Sequence, residues 1–143
     1  MKQQGNIEFF FEEVSIPGFS EEEIREWIIG VIENEKNVPG DVSFIFCNDQ
    51  YLYQMNVQYL QHDSLTDIIT FDYCPETGNI SGDLFISIDR VEENARELNL
   101  SFHDELKRVM VHGVLHLMGY NDKDSAQRAA MRQKENYYLT LQA

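Results

Sequence analysis

Hydrophobic positions recur along this chain with two periods, near 2 and near 3.6, and the switches between them outline its elements. Ile7 to Phe11 is an apolar run that predicts a first strand. Ser20 followed by Glu21, Glu22 and Glu23 is an N-cap with an acidic first turn, and Ile24, Trp27, Ile28, Val31 and Ile32 then repeat at helical spacing until Asn37-Val38-Pro39-Gly40. A helix over about 21–36 follows. Val42 to Phe46 alternates as a strand, and Asn48-Asp49 opens a second helix with Leu52, Met55 and Tyr59 on its apolar stripe. Thr66 to Phe71 and Asp83 to Ile88 are rich in Ile, Phe and Thr and predict two more strands. The 11 residues between them, 72–82, allow an antiparallel pair but no tight hairpin. Arg90 to Leu98 reads as a short helix, and Ser101 with Asp104 three positions on starts another over about 102–118. Asp124 to Leu141 supplies a last helix, with Ala129, Met131, Tyr137, Tyr138 and Leu141 available for packing. Strands and helices mix without strict alternation, which predicts an α+β fold: a mixed sheet of about four strands with helices packed on it.

The helix over 102–118 carries the most specific chemistry. His112 and His116 stand at i and i+4, so both imidazoles lie on one face and reach one ion. Gly119 permits the left-handed backbone that ends helices, and the chain then folds back to bring Asp122 toward the same point. A bare His-x-x-x-His is more often a pair of hydrogen-bonded core residues; the added Gly-x-x-Asp favours metal. Three protein ligands with a fourth position open is the arrangement of a catalytic zinc. Two imidazoles and a carboxylate also suit iron, manganese or nickel, so other divalent metals remain possible. Asp124 is close enough in sequence to substitute for Asp122. His103, nine positions before His112, is about 13 Å away along a continuous helix and too far to share the ion. His62 belongs to a distant loop.

Composition narrows the class. At 143 residues, with 43% hydrophobic and 12% aromatic content, the chain has room for a single domain, 1–143, with one core. Cys47 and Cys74 form neither a disulfide framework nor a CxxC, which fits a reducing cytosol, and both read as small buried hydrophobes. The polar amino terminus and its short apolar run fall far short of a signal peptide or membrane span, so a cytoplasmic protein without a membrane partner is expected. The net charge of −14 argues against sequence-independent nucleic-acid binding by the whole surface, and no DNA partner is expected. All of that excess lies in residues 1–89, where three Lys or Arg face 17 Asp or Glu; residues 90–143 hold eight of each. Arg90, Arg96, Lys107, Arg108, Lys123, Arg128, Arg132 and Lys134 form either a local basic face there or solvated helix charges.

Three blocks in order resemble a known family. His112-Gly113-Val114-Leu115-His116-Leu117-Met118-Gly119-Tyr120, the segment Asn56 to Phe71 with its Thr66-Asp67-Ile68-Ile69-Thr70-Phe71, and Gly82-Asp83-Leu84-Phe85-Ile86-Ser87 are together similar to the bacterial rRNA maturation factors, single-domain zinc-dependent endoribonucleases. The resemblance covers most of the chain. It implies a metal-dependent endoribonuclease acting in rRNA maturation and ribosome assembly, with rRNA and the small ribosomal subunit or a ribosomal protein as partners. It places one zinc ion on His112, His116 and Asp122, and leaves the catalytic acid or base unassigned, with His62 as a candidate. Gly82, Asp83 and Thr66-Asp67 read as shaping the sheet edge and neighbouring turns, with Asp67 and Asp83 as alternative candidates to orient a ligand imidazole.

Two departures stand out. The family's third ligand is normally a histidine after Tyr-Asp, whereas Tyr120 here precedes Asn121-Asp122, and the family's arginine after Asn-x-x-Tyr is Leu60. Two alternatives therefore stay open. One is a non-catalytic ribosome-assembly factor with a structural metal, whose acidity suits a basic ribosomal protein. The other is a zincin-like metallopeptidase, since His-x-x-x-His-x-x-Gly-x-x-(His or Asp) is also the ligand spacing of one group of zinc peptidases. Those enzymes carry a general-base Glu directly after the first histidine, and Gly113 at that position disfavours peptide hydrolysis.

Overall fold

The computed structural model describes residues 6–60, 67–73 and 79–141, apart from the side chains of Tyr59 and Leu60. In chain order the elements are β1 (Ile7–Phe11), α1 (Glu21–Asn34), β2 (Val38–Cys47), α2 (Asp49–Leu60), β3 (Ile68–Asp72), β4 (Asn79–Ser87), α3 (Ile88–Leu98), α4 (Phe102–Leu117) and α5 (Ser125–Thr140). The strands form one mixed sheet in the order β1-β2-β4-β3, with β1/β2 and β2/β4 parallel and β3 antiparallel at one edge. The α+β class and the four strands agree with the sequence pattern.

Side-chain alternation assigns the two faces of the sheet. Ile7, Phe9, Val42, Phe44, Phe46, Leu84 and Ile86 point to the face covered by α1 and α4 and join the main core, to which α5, packed on α4, adds Met131 and Tyr138. Cys47, Ile69, Phe71 and Phe85 point to the other face, where Leu52 and Met55 of α2 cover them. Cys47 is buried, and burial raises its thiol pKa to about 12, as a small core residue would have it. Cys74 lies outside the described residues.

Several boundaries differ from the sequence pattern, each for a local reason. β2 begins at Val38 rather than Val42, because the chain continues through a register shift between Pro39 and Val42. β1 pairs with β2 only from Val42 onward, so Pro39, which is paired with Ile80 of β4, has no strand on its other side. β4 likewise begins at Asn79, which shortens the link after β3 to residues 73–78. α3 starts at Ile88, since Ser87 caps it by accepting from the Arg90 N–H. On α5 the buried stripe is Met131, Glu135 and Tyr138, spaced i, i+4, i+7. Ala129, Tyr137 and Leu141, expected to pack, are exposed; the stripe instead includes a carboxylate because α5 lies against polar groups of α4.

Ser101 caps α4, its hydroxyl accepting from the Asp104 N–H, and nine residues between Glu105 and Leu117 are buried. Gly113 lets this helix lie close against the sheet: a Cβ there would meet Ile68 Cδ1 at 2.7 Å and Leu84 Cδ2 at 2.9 Å. α4 is thus held against the β3 edge.

Candidate metal centre

The end of α4 builds the site. His112 and His116, one turn apart, present their rings edge to face with centroids 4.6 Å apart and Nε2 atoms 3.1 Å apart. The helix then closes with Gly119 at φ 99°, its N–H donating to the His116 carbonyl while the Tyr120 N–H donates to that of Leu115. This is a Schellman ending, and it reverses the chain. Asp122 Oδ2 consequently lies 3.4 Å from His112 Nε2 and 3.5 Å from His116 Nε2. Ligands about 2.0–2.2 Å from a tetrahedral ion are themselves about 3.3–3.6 Å apart, so this triangle has the dimensions of one face of a metal's coordination shell. The three side chains are the group among the described residues that could hold a metal ion.

Behind the histidines is a residue the sequence pattern did not single out. Glu135 of α5 is buried and its Oε2 accepts from His112 Nδ1 at 2.6 Å. That bond puts the proton on Nδ1 and leaves the Nε2 lone pair facing the open point between the ligands. Glu135 Oε1 accepts from Arg108 at 3.1 Å, and Arg108 also pairs with the fully buried Glu105. Burial opposes ionisation of Glu135, but the bonds from His112 and Arg108 outweigh it and hold the carboxyl below its usual range. Two carboxylates around one guanidinium leave a buried excess of negative charge, partly met by half-exposed Arg132 3.5 Å from Glu135. A cation held at His112 Nε2 would balance the rest. The signal in the sequence was a glutamate on the apolar stripe between Met131 and Tyr138.

A cavity of about 440 Å³ opens over the triangle, bounded by Asp67, Ile68, Thr70 and Asp72 of the β3 edge. Burial raises the Asp67 carboxyl, against the nearby His112 and Arg108, and Asp67 accepts from Asn94. Asp67 therefore borders the site, but Glu135, not Asp67, holds the imidazole. Asp83 is corrected further: it faces the α2 side of the sheet, where the Tyr73 hydroxyl bonds to it. Gly82 sits beneath Leu117 of α4. Asp124 is the N-cap of α5 and accepts from the Gln127 N–H at 2.7 Å, which removes it as a substitute for Asp122. His103 packs edge-on against Phe102 in the first turn of α4. His62 and Thr66 lie outside the described residues, as does the side chain of Leu60.

The basic residues of 90–134 are largely neutralised in place rather than gathered into a face. Arg90 pairs with Asp49 and Glu93, Arg96 with Glu92, Arg108 with Glu105 and Glu135, and Lys134 with Glu35. Arg128 reaches the Lys123 carbonyl at 3.4 Å.

Comparison with known proteins agrees with this geometry. The family model described as Endoribonuclease YbeY matches residues 7–142. Among relatives named Endoribonuclease YbeY, that of Flavobacterium johnsoniae is 51% identical over 123 residues, covering 85% of this chain and 87% of the relative. That of Cytophaga hutchinsonii is 45% identical over 141 residues, covering 99% and 98%. The solution structure of TM1509 from Thermotoga maritima superposes with a TM-score of 0.68 at 28% identity, covering 94% of this chain and 87% of that one. With a family match along nearly its whole length and the His112, His116 and Asp122 triangle in place, the chain belongs to the YbeY endoribonuclease family.

Proposed function

We propose that residues 1–143 form one domain in which His112, His116 and Asp122 hold a single divalent ion, zinc foremost, and that this centre cleaves RNA as a metal-dependent endoribonuclease of rRNA maturation and ribosome assembly. The observation that carries the reading is the ligand triangle of 3.1, 3.4 and 3.5 Å edges, opening into a cavity rather than closed by a fourth side chain. When bound, the ion supplies Lewis-acid polarisation of a phosphoryl oxygen and a more acidic water for attack on phosphorus. The protein's part is orientation. Glu135 fixes the His112 tautomer, the Gly119 turn delivers Asp122, and the β3 edge forms the wall along which a strand of RNA lies. Asp67, Asp72 and Asp122 make the unloaded cavity acidic, so phosphate approaches it only when the ion is present.

Peptide hydrolysis is further disfavoured by sterics. Position 113 is buried against Ile68 and Leu84, and a general-base glutamate there has no room. The assembly-factor reading keeps one supporting observation, the net charge of −14, which suits a basic ribosomal protein as partner. No helix among the described residues is long and apolar enough to cross a membrane, and a cytoplasmic location fits the ribosomal role. The test is metal analysis of the purified protein followed by cleavage of single-stranded RNA with and without chelator. Metal-loaded protein cuts RNA slowly and leaves casein intact, and His116→Ala abolishes the RNA activity. Equal cleavage by the His116→Ala protein overturns the reading. Association with small ribosomal subunits without cleavage by the parent transfers it to the assembly role.

A further inference from the structure

On the other side of the β3 edge from the metal centre, a second and larger cavity of about 590 Å³ lies between α2 and the sheet. Thr70 and Asp72 face the metal side, while the intervening Phe71 and following Tyr73 face this cavity, so one edge strand borders both. Its walls are aromatic. Tyr51 lies nearly parallel to Phe85, with centroids 6.4 Å apart, and Phe71 meets Phe85 edge-on at 5.8 Å. Tyr51 and Tyr73 are 37% and 59% exposed, so both rings offer surface to a ligand. The polar groups are neutral or negative: Gln54 and Gln58 from α2, and Asp83 from β4.

We propose that this cavity binds an unpaired nucleobase carrying an exocyclic amine, from an RNA strand that crosses the β3 edge to the metal centre. The inference rests on the endoribonuclease reading. Flat aromatic surfaces stack on bases of any sequence, which suits single-stranded RNA. A carboxylate in the same cavity repels phosphate but accepts hydrogen bonds from an amine such as cytosine N4. Asp83 already takes the Tyr73 hydroxyl, and a carboxylate has acceptor positions beyond one. The two glutamine amides add donors and acceptors for a base edge. An apolar side chain would leave the two glutamine amides and the remaining acceptor positions of Asp83 unmet on desolvation, so a base is the better occupant.

Cytidine and uridine differ at the amine, and neither requires cleavage or metal, so binding of free nucleosides separates this proposal from the catalytic one. Isotope-labelled protein is titrated with each nucleoside and followed by NMR. Cytidine shifts the amides of α2 and of residues 71, 73, 83 and 85, and uridine binds about tenfold more weakly. Tyr51→Ala weakens cytidine about tenfold while Tyr51→Phe keeps it, and Asp83→Asn removes the preference over uridine. Equal binding of the two nucleosides, shifts confined to the end of α4, or an unaffected Tyr51→Ala protein each overturn the proposal. N-acetyltryptophanamide binding more tightly than cytidine also overturns it and assigns the groove to a protein side chain. Nucleoside binding by a protein that does not cleave RNA instead sinks the catalytic reading and leaves this site standing.

Discussion

The Tyr120 hydroxyl donates to Glu35 Oε1 across 2.6 Å, joining the turn after α4 to the end of α1, 85 positions earlier in the chain. Glu35 also accepts from Tyr138 and from Lys134 of α5, so three elements meet on one carboxylate. Asp122 is two residues past Tyr120, and this bond limits where its carboxylate can go. Tyr120→Phe removes the bond and keeps the ring. Its expected effect is a roughly tenfold loss of metal affinity, together with a loss of about 1.5–3 kcal/mol of stability from the bond to Glu35. Titration calorimetry on chelator-stripped protein measures it, and cobalt absorption spectra report any change at Asp122, the proposed third ligand. Parental affinity in Tyr120→Phe would show that the anchor does not position Asp122.

Glu35 also ties stability to pH. Burial raises its pKa, but the hydrogen bonds from Tyr120, Tyr138 and Lys134 prevail and hold the carboxyl below its ordinary 4.5. A depressed acid contributes stability that is fully present above the unfolded pKa and is lost as pH falls through the folded one. Denaturation midpoints therefore fall with acidification below about pH 4.5, and Glu35→Gln flattens part of that slope while lowering stability at neutral pH. Parallel slopes for the two proteins between pH 3 and 5 would contradict this.

Removal of Glu135 acts on both the proposed ligand and the core. Glu135→Gln keeps the volume but loses the charge that His112 and Arg108 share, and metal affinity is expected to drop roughly 10–100-fold. Glu135→Ala also takes one of its two carboxylates from Arg108, which keeps Glu105, at a cost of about 1–3 kcal/mol in urea denaturation. Metal affinity that stays at the parental value in Glu135→Gln would remove the carboxylate from the centre.

At the third position, Asp122→His replaces an oxygen donor with an imidazole. Zinc binding tightens relative to manganese, because nitrogen suits zinc and carboxylate suits the harder ion. Competition between the two metals reads out the change, and an unchanged ratio would mean that Asp122 does not ligate.

Gly113→Ala tests the contact that sets α4 on the sheet. The added methyl meets Ile68 and Leu84 at under 3 Å, so overpacking costs about 1–3 kcal/mol and shifts the histidine-bearing turn away from β3. A variant as stable as the parent would show that the helix shifts freely.

Much of this protein is written locally. Ser20 and Ser101 cap the helices they were expected to cap, His112 and His116 share a face because 3.6 residues make a turn, and Gly119 ends α4 because its φ is positive. The α+β class and the ligand spacing follow from such short-range rules, which act within a few residues. The partners of the site do not. Glu135 meets His112 across 23 positions and Glu35 meets Tyr120 across 85, and no period in the sequence encodes a contact between helices. The same holds for Asp67 and Asp83: both looked able to orient an imidazole, and strand alternation together with β3 pairing against β4 sent one to the rim of the metal cavity and the other to the opposite face. The local sequence thus determined which groups form the triangle, while packing of α5 and α1 against α4 decided which distant carboxylates hold it, because a buried charge is placed by the partners that neutralise it.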